Sequence, residues 1–158
     1  MSCSPTPVPP PDSTPGITIL VPASTSAVRA AAAAVRGIVE TALPCDDADR
    51  VEVVVAEVGN NIVVHGFGGS EGNAPGREFS VSVHMGERDL VLEFRDDGPP
   101  FDPVTTPPGT PEQSIARGGG GLGLYIMHRV MDELAYQRIG DRNVLRLVKL
   151  RPPAHPSC

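Results

Sequence analysis

From Gly118 to Leu124 the chain reads GGGGLGL, five glycines in seven residues, and then continues into the apolar, helix-like segment GLYIMHRVMDEL. Glycine is a poor helix former, and ordering its backbone costs more conformational entropy than ordering any other residue. At the start of a helix the first N–H groups point outward at the positive end of the dipole. Glycine lets that backbone approach an anion with no side chain in between, which suits phosphate. The run fits a plain flexible linker equally well. It lacks the GxxxxGK[ST] pattern of a Walker-type loop, and Gly119, Gly121 and Gly123 do not sit in a βαβ unit with the dinucleotide fingerprint.

The remaining segments order themselves around this run. MSCSPTPVPPPDSTPG holds six prolines in its first fifteen residues and predicts a disordered tail over 1–15; PPAHPSC predicts another over 152–158. GITILVP, Gly16 to Pro22, predicts a strand. STSAVRAAAAAVRGIVETAL predicts a helix capped by Ser24 or Thr25. DDADRVEVVVAEVGNNIVVHG begins with carboxylates suited to a helix N-terminus and stops at Gly66. Its valines favour strands, but its length and its ends favour helix. A glycine-rich loop is expected over 67–76. REFSVSVHM and DLVLEFRD alternate as an antiparallel hairpin turned at Gly86-Glu87. A long proline-rich loop without periodicity reaches the glycine run, a helix is expected to Leu134, and LAYQRIGDRNVLRLVKL predicts a hairpin turned at Gly140-Asp141. Helices that do not alternate with every strand predict an α+β, two-layer sandwich, one domain over 16–151.

Composition narrows the function. A net charge of −6 and a pI near 5.1 exclude a phosphate-neutralising basic surface, so no direct nucleic-acid partner is expected. No apolar run reaches membrane-spanning length, so no membrane association is expected. Three cysteines, Cys3, Cys45 and Cys158, lie far apart with no CxxC, which fits a reducing, cytoplasmic setting.

Two polar groupings stand out. Glu57 and Asn61, four residues apart, share one face of the second predicted helix among apolar neighbours, and His65 extends that stripe by a turn. Spacing alone fits a solvent-facing strip, a hydrogen bond across the core, or a site. In FRDDGPPFDP, the strand through Phe94 delivers Asp96, Asp97 and Gly98 at its end, a position that fits both an ordinary turn and a ligand grip.

The combination is more specific than its parts. Glu-x-x-x-Asn on a helix, Asp-x-Gly after a strand, a long loop, then a glycine run opening a helix occur in that order. The chain resembles the GHKL (Bergerat-fold) ATP-binding superfamily, and within it the stand-alone RsbW-type anti-sigma-factor serine/threonine kinases. AEVGNNIVVHGF is similar to the N box of that branch, DDGPPFDP to its G1 box and GGGGLGLYIMHRVMDEL to its G2 box, so the likeness spans roughly residues 16 to 151. The resemblance implies a mixed, mostly antiparallel sheet with helices on one face.

It also implies roles. Asn61 would hold Mg²⁺, a hard cation content with one protein oxygen and several waters. Glu57 would be the general base toward the attacking hydroxyl. Asp96 would receive the adenine amino group, with Gly98 letting the base lie flat. Gly119, Gly121 and Gly123, together with Leu122 and Leu124 of the same run, would wrap the phosphates of ATP. Pro99 to Gly118 would form the lid, from which Arg117 would reach the terminal phosphate. Asn143 stands where the family often has a threonine that supports the adenine aspartate through water. Pro100 departs from the pattern, replacing the second G1 glycine and stiffening the root of the lid.

The expected activity is that of a partner-switching serine/threonine kinase. It would bind Mg·ATP, phosphorylate a small STAS-type anti-sigma-factor antagonist, and sequester a sigma factor or similar effector, as a homodimer. The alternative is a nucleotide-gated sequestering protein with little or no kinase activity. Histidine-bearing dimerisation helices and a transducer domain are not recognisable in this sequence, so neither a two-component histidine kinase nor a gyrase-type ATPase is expected.

Overall fold

The computed structural model describes residues 16–116 and 122–152. The tail expected over 1–15 and the C-terminal tail beyond Pro152 lie outside the described residues, as do Arg117, Gly119 and Gly121. Strand β1 (Gly16–Ser24) leads into helix α1 (Thr25–Val39), and α2 (Cys45–Asn61) follows. Ser24 is the N-cap of α1: its Oγ accepts the Ala27 N–H at 3.2 Å, as the sequence pattern anticipates. The two helices are tied at the surface by Arg36, whose Nε lies 2.6 Å from Asp49 Oδ1 of α2 and whose Nη1 lies 2.6 Å from Glu40 Oε2.

The valine-rich α2 is helical because four of its five valines, all but the exposed Val53, fall at helical spacing on one face. Val51, Val54, Val55 and Val58 are all buried, so packing overrides their β preference. Ile62–Gly66 widens into a single π turn, with the Phe67 N–H donating to Ile62 O at 2.8 Å, and the helical run ends at Gly66 as expected.

Strands β2 (Asn73–Met85), β3 (Asp89–Asp96), β4 (Glu133–Ile139) and β5 (Arg142–Leu150) complete the sheet in the order β1-β2-β3-β5-β4. Among the described strands every pairing is antiparallel, so the mixed sheet implied by the family resemblance is corrected to a purely antiparallel one. Strand β5 inserts between β3 and the edge strand β4. Alternate residues such as Val81, Val83, Leu90, Leu92, Phe94, Leu145 and Leu147 face a single core shared with Val28, Val35 and Val39 of α1, with the buried face of α2, and with Met127 of α4 (Leu122–Val130). The helices thus cover one face of an α+β two-layer sandwich.

Three local expectations change. The helix expected to reach Leu134 stops at Val130, because Asp132 is drawn to the sheet. Its N–H donates to Val148 O at 2.8 Å and its Oδ2 accepts the Leu150 N–H at 2.7 Å. The loop expected over 67–76 ends early, since β2 starts at Asn73 and pairs with Ser24 across a bulge in β1. The long proline-rich loop carries a helix, α3 (Pro111–Ala116), set by a capping box: Thr110 Oγ1 accepts the Gln113 N–H at 3.2 Å and Gln113 Oε1 accepts the Thr110 N–H at 3.1 Å. The β4–β5 hairpin turns at Gly140, at φ +60°, where the sequence places it.

Leu92 is fully buried at the centre of the sheet, whereas Leu20 is 60 % exposed at its edge. Leu92→Ala is expected to lower the unfolding free energy by about 3 kcal/mol. Leu20→Ala should stay within about 0.5 kcal/mol of the parent, both read from urea unfolding midpoints.

Candidate functional site

The last turn of α2, the end of β3 and the first turn of α4 meet over the sheet. Asn61 is presented there because its neighbours Val58 and Ile62 are committed to the core. Gly123 is buried against this turn. A Cβ at Gly123 would fall 2.7 Å from Glu57 Oε2, 3.1 Å from Glu57 Cβ and 3.5 Å from Asn61 Nδ2, so a side chain here would displace the Glu57 carboxylate. The glutamate and asparagine of one helix and the glycine opening another are brought together across some sixty residues of chain.

Asp96 closes β3 directly opposite Asn143 of β5, and Asn143 in turn stands opposite Arg138 of β4. Asp96 Oδ1 accepts the Gly98 N–H at 2.8 Å and an N–H of Asn143 Nδ2 at 2.8 Å. The Asn143 side chain, 6 % exposed, also donates to Pro99 O at 3.0 Å, while its Oδ1 accepts from Tyr136 Oη at 2.7 Å and Arg138 Nη1 at 2.9 Å. Arg138 Nη1 donates further to Gly98 O at 2.7 Å. The support that family resemblance assigns to a water is here a direct amide contact. A Cβ at Gly98 would lie 2.9 Å from Asp96 Oδ1 and 3.2 Å from Gly66 O, so this turn folds tightly between its own aspartate and the end of the π turn.

These elements enclose a cavity of about 210 Å³. Val58, Ile62, Phe94, Met127 and Leu145 give it apolar walls; Asn61, His65, Asp96, Tyr136 and Asn143 supply polar atoms; Pro99, Pro100, Phe101 and Pro103 line it from the lid root. The lid root is itself ordered, with Asp102 Oδ1 accepting the Val104 N–H at 2.8 Å and Pro103 O lying 3.3 Å from His128 Nε2 of α4. On the far side, Arg77 bonds Asp97 Oδ1 at 2.9 Å while its guanidinium stands 4.4 Å from the Phe67 ring centre.

Of the residues singled out in the sequence, Asn61, Asp96, Gly123, Leu124 and Asn143 line this cavity and Gly98 packs beneath Asp96. Glu57 is half-buried at its border. It belongs to the wall of a second, more open groove between α1 and α2, with Arg29, Ala33, Val53 and Ala56. Leu122 is half-buried at the first position of α4, off the cavity wall. Arg117, Gly119 and Gly121 fall outside the described residues. Sequence reasoning did not find Tyr136, Arg138 or Phe101. The signal for the first two was present: a tyrosine and an arginine share the core-facing parity of β4 with Leu134, and a core-facing arginine needs partners.

Comparison with known proteins follows this geometry. One solved structure with the same fold is the SiaB-SiaC complex from Pseudomonas aeruginosa, with TM-score 0.53 and 23 % identity, covering 85 % of this chain and 89 % of that one. Another is the structure of the RsbU and RsbW domains of Rv1364c from Mycobacterium tuberculosis, with TM-score 0.56 and 18 % identity over 89 % of this chain but 34 % of that one. No significant match is found among curated proteins. The family model of the histidine kinase-like ATPase domain matches residues 21–149, nearly the whole of the sheet and its helices, and the chain belongs to that family.

Proposed function

We propose that the chain is a serine/threonine protein kinase of the partner-switching type, which binds Mg·ATP in this cavity and phosphorylates a small STAS-type antagonist. In this proposal it also sequesters a sigma factor or a similar effector, and it acts as a homodimer in the cytoplasm. The observation that carries the proposal is the meeting of Asn61, Asp96 and Gly123, from three distant segments, at one apolar cavity with Glu57 at its border. The apolar walls suit a purine ring, and Asp96 offers an acceptor to an exocyclic amine. The SiaB-SiaC complex and the structure containing the RsbW domain of Rv1364c share the fold, and the partner class comes from the resemblance of the sequence to RsbW-type kinases.

The donor set fits a magnesium nucleotide. Among the described residues no three His, Cys, Asp or Glu side chains cluster as metal ligands. A cation here would therefore rest on the Asn61 amide oxygen, nucleotide oxygens and water, the arrangement Mg²⁺ favours. When bound, Mg²⁺ neutralises charge on the phosphate oxygens during transfer. Asp96 orients the base, and Gly123 brings the start of α4 close against Glu57 and Asn61, so that its backbone and their side chains border the same end of the site. Glu57 takes the proton of the acceptor hydroxyl as that oxygen bonds the γ-phosphorus and the bond to the β-phosphate oxygen breaks, releasing ADP. The groove between α1 and α2 gives an acceptor segment access to Glu57 from the side away from the base. Among the described residues no helix is long and apolar enough to cross a membrane.

Transfer from radiolabelled ATP to a purified STAS-type antagonist tests the proposal directly. A labelled antagonist is expected, and tight Mg·ATP binding without label would favour the sequestering alternative. Glu57→Gln should leave Mg·ATP affinity within about threefold while lowering transfer by roughly a hundredfold or more; undiminished transfer removes the base assignment. Asn61→Ala and Asp96→Ala should each weaken Mg·ATP binding about tenfold or more in calorimetry, and parental affinity would refute their roles.

A further inference from the structure

We propose that Arg138, which stands behind the cavity wall, and Tyr136 determine which purine the cavity takes. They fix the orientation of Asn143, and Asn143 fixes Asp96 as an acceptor that admits a 6-amino purine and rejects a 6-oxo purine. The assignment rests on the cavity being a nucleotide site.

The chain of constraint runs outward from Arg138. A guanidinium only donates hydrogen bonds, so the end of the Asn143 amide that faces Arg138 Nη1 at 2.9 Å must be its oxygen. Tyr136 Oη, 2.7 Å from the same oxygen, adds a second donor. The amide nitrogen is thereby turned toward Asp96 Oδ1 at 2.8 Å and Pro99 O at 3.0 Å, which uses both of its hydrogens. Asp96 Oδ1 also takes the Gly98 N–H, at 2.8 Å. Two donors on one carboxylate oxygen hold the rotamer, and the other oxygen is the one left for a ligand. Arg138 closes the circuit by gripping Gly98 O at 2.7 Å, so one guanidinium holds both the amide and the turn that carry Asp96.

Without Arg138 the amide oxygen keeps a single donor, Tyr136 Oη, and the turn at Gly98 loses its anchor. The amide and the turn then hold Asp96 less tightly, and its pose toward the ligand loosens. The held pose offers lone pairs to the ligand: a 6-amino group donates into them, whereas a 6-oxo group sets oxygen against oxygen. Tyr136 and Arg138 are thus positioning residues, acting on base choice through Asn143. Their contribution should appear as discrimination between bases, and a merely structural contribution would weaken all nucleotides alike.

Calorimetry with Mg·ADP and Mg·IDP, which differ in the 6-substituent and the adjoining N1 proton, tests this on the full chain. Wild type is expected to bind ADP about a hundredfold tighter than IDP. Arg138→Met should shrink that ratio roughly tenfold, Arg138→Lys should restore part of it, and Tyr136→Phe should shrink it by a smaller factor. Thermal unfolding without nucleotide checks that the variants fold; if Arg138→Met does not, Tyr136→Phe, which loses one hydroxyl, decides the matter. Variants in which both affinities fall in step, leaving the ratio intact, overturn this assignment while the nucleotide site stands. A wild type that binds ADP and IDP equally also overturns it. A wild type that binds neither overturns the nucleotide site itself, and this assignment with it.

Discussion

The packing of α2 on the sheet is the contact from which the rest of the molecule takes its positions. One side of this helix, Val51, Val54, Val55 and Val58, is fixed in the core, and that leaves no freedom in where the adjacent side points. Glu57 and Asn61 occupy that adjacent side. Their separation of one turn is set by helix geometry, and their height above the sheet is set by valines that do no chemistry. The closeness of Gly123 then depends on the same packing, because α4 comes nearest Glu57 and Asn61 where the glycine removes a side chain.

The second fixed point is the row Asp96–Asn143–Arg138 running across three strands in register. Strand register is specified by which face each residue must bury, so the row is as firmly placed as the core beside it. Two rigid elements, a packed helix and a paired row, therefore define opposite ends of the cavity. The lid root, stiffened by Pro99, Pro100 and Pro103, lies along it.

Much of this was legible in the sequence, and the physical reason differs from element to element. The helix through Asn61 could be read from spacing and ends, and the hairpin at Gly140 from its turn residues, because both signals are local. Asn61, Asp96 and Gly123 could be placed together through the order of three motifs, since none of the motifs carries that meaning alone. The end of α4 was misjudged because Asp132 is captured by the backbone of Leu150, a contact far away in sequence. Helix α3 was missed although Thr110 and Gln113 announce it: a capping box is faint inside a proline-rich stretch. The direct bond from Asn143 to Asp96 was replaced in expectation by a water, because the family pattern was read for threonine, and an amide is long enough to reach unaided.

The insertion of β5 between β3 and β4 has a bearing on the order of assembly. Asp96 and its partner Asn143 are 47 residues apart in the chain, yet the two are neighbours in the finished ladder. Until β5 docks, β3 has an unpaired edge and its aspartate has no amide to lean on. The ladder and the polar row at its end are therefore finished by the same long-range pairing, which joins an early-formed hairpin to a strand brought in from far along the chain.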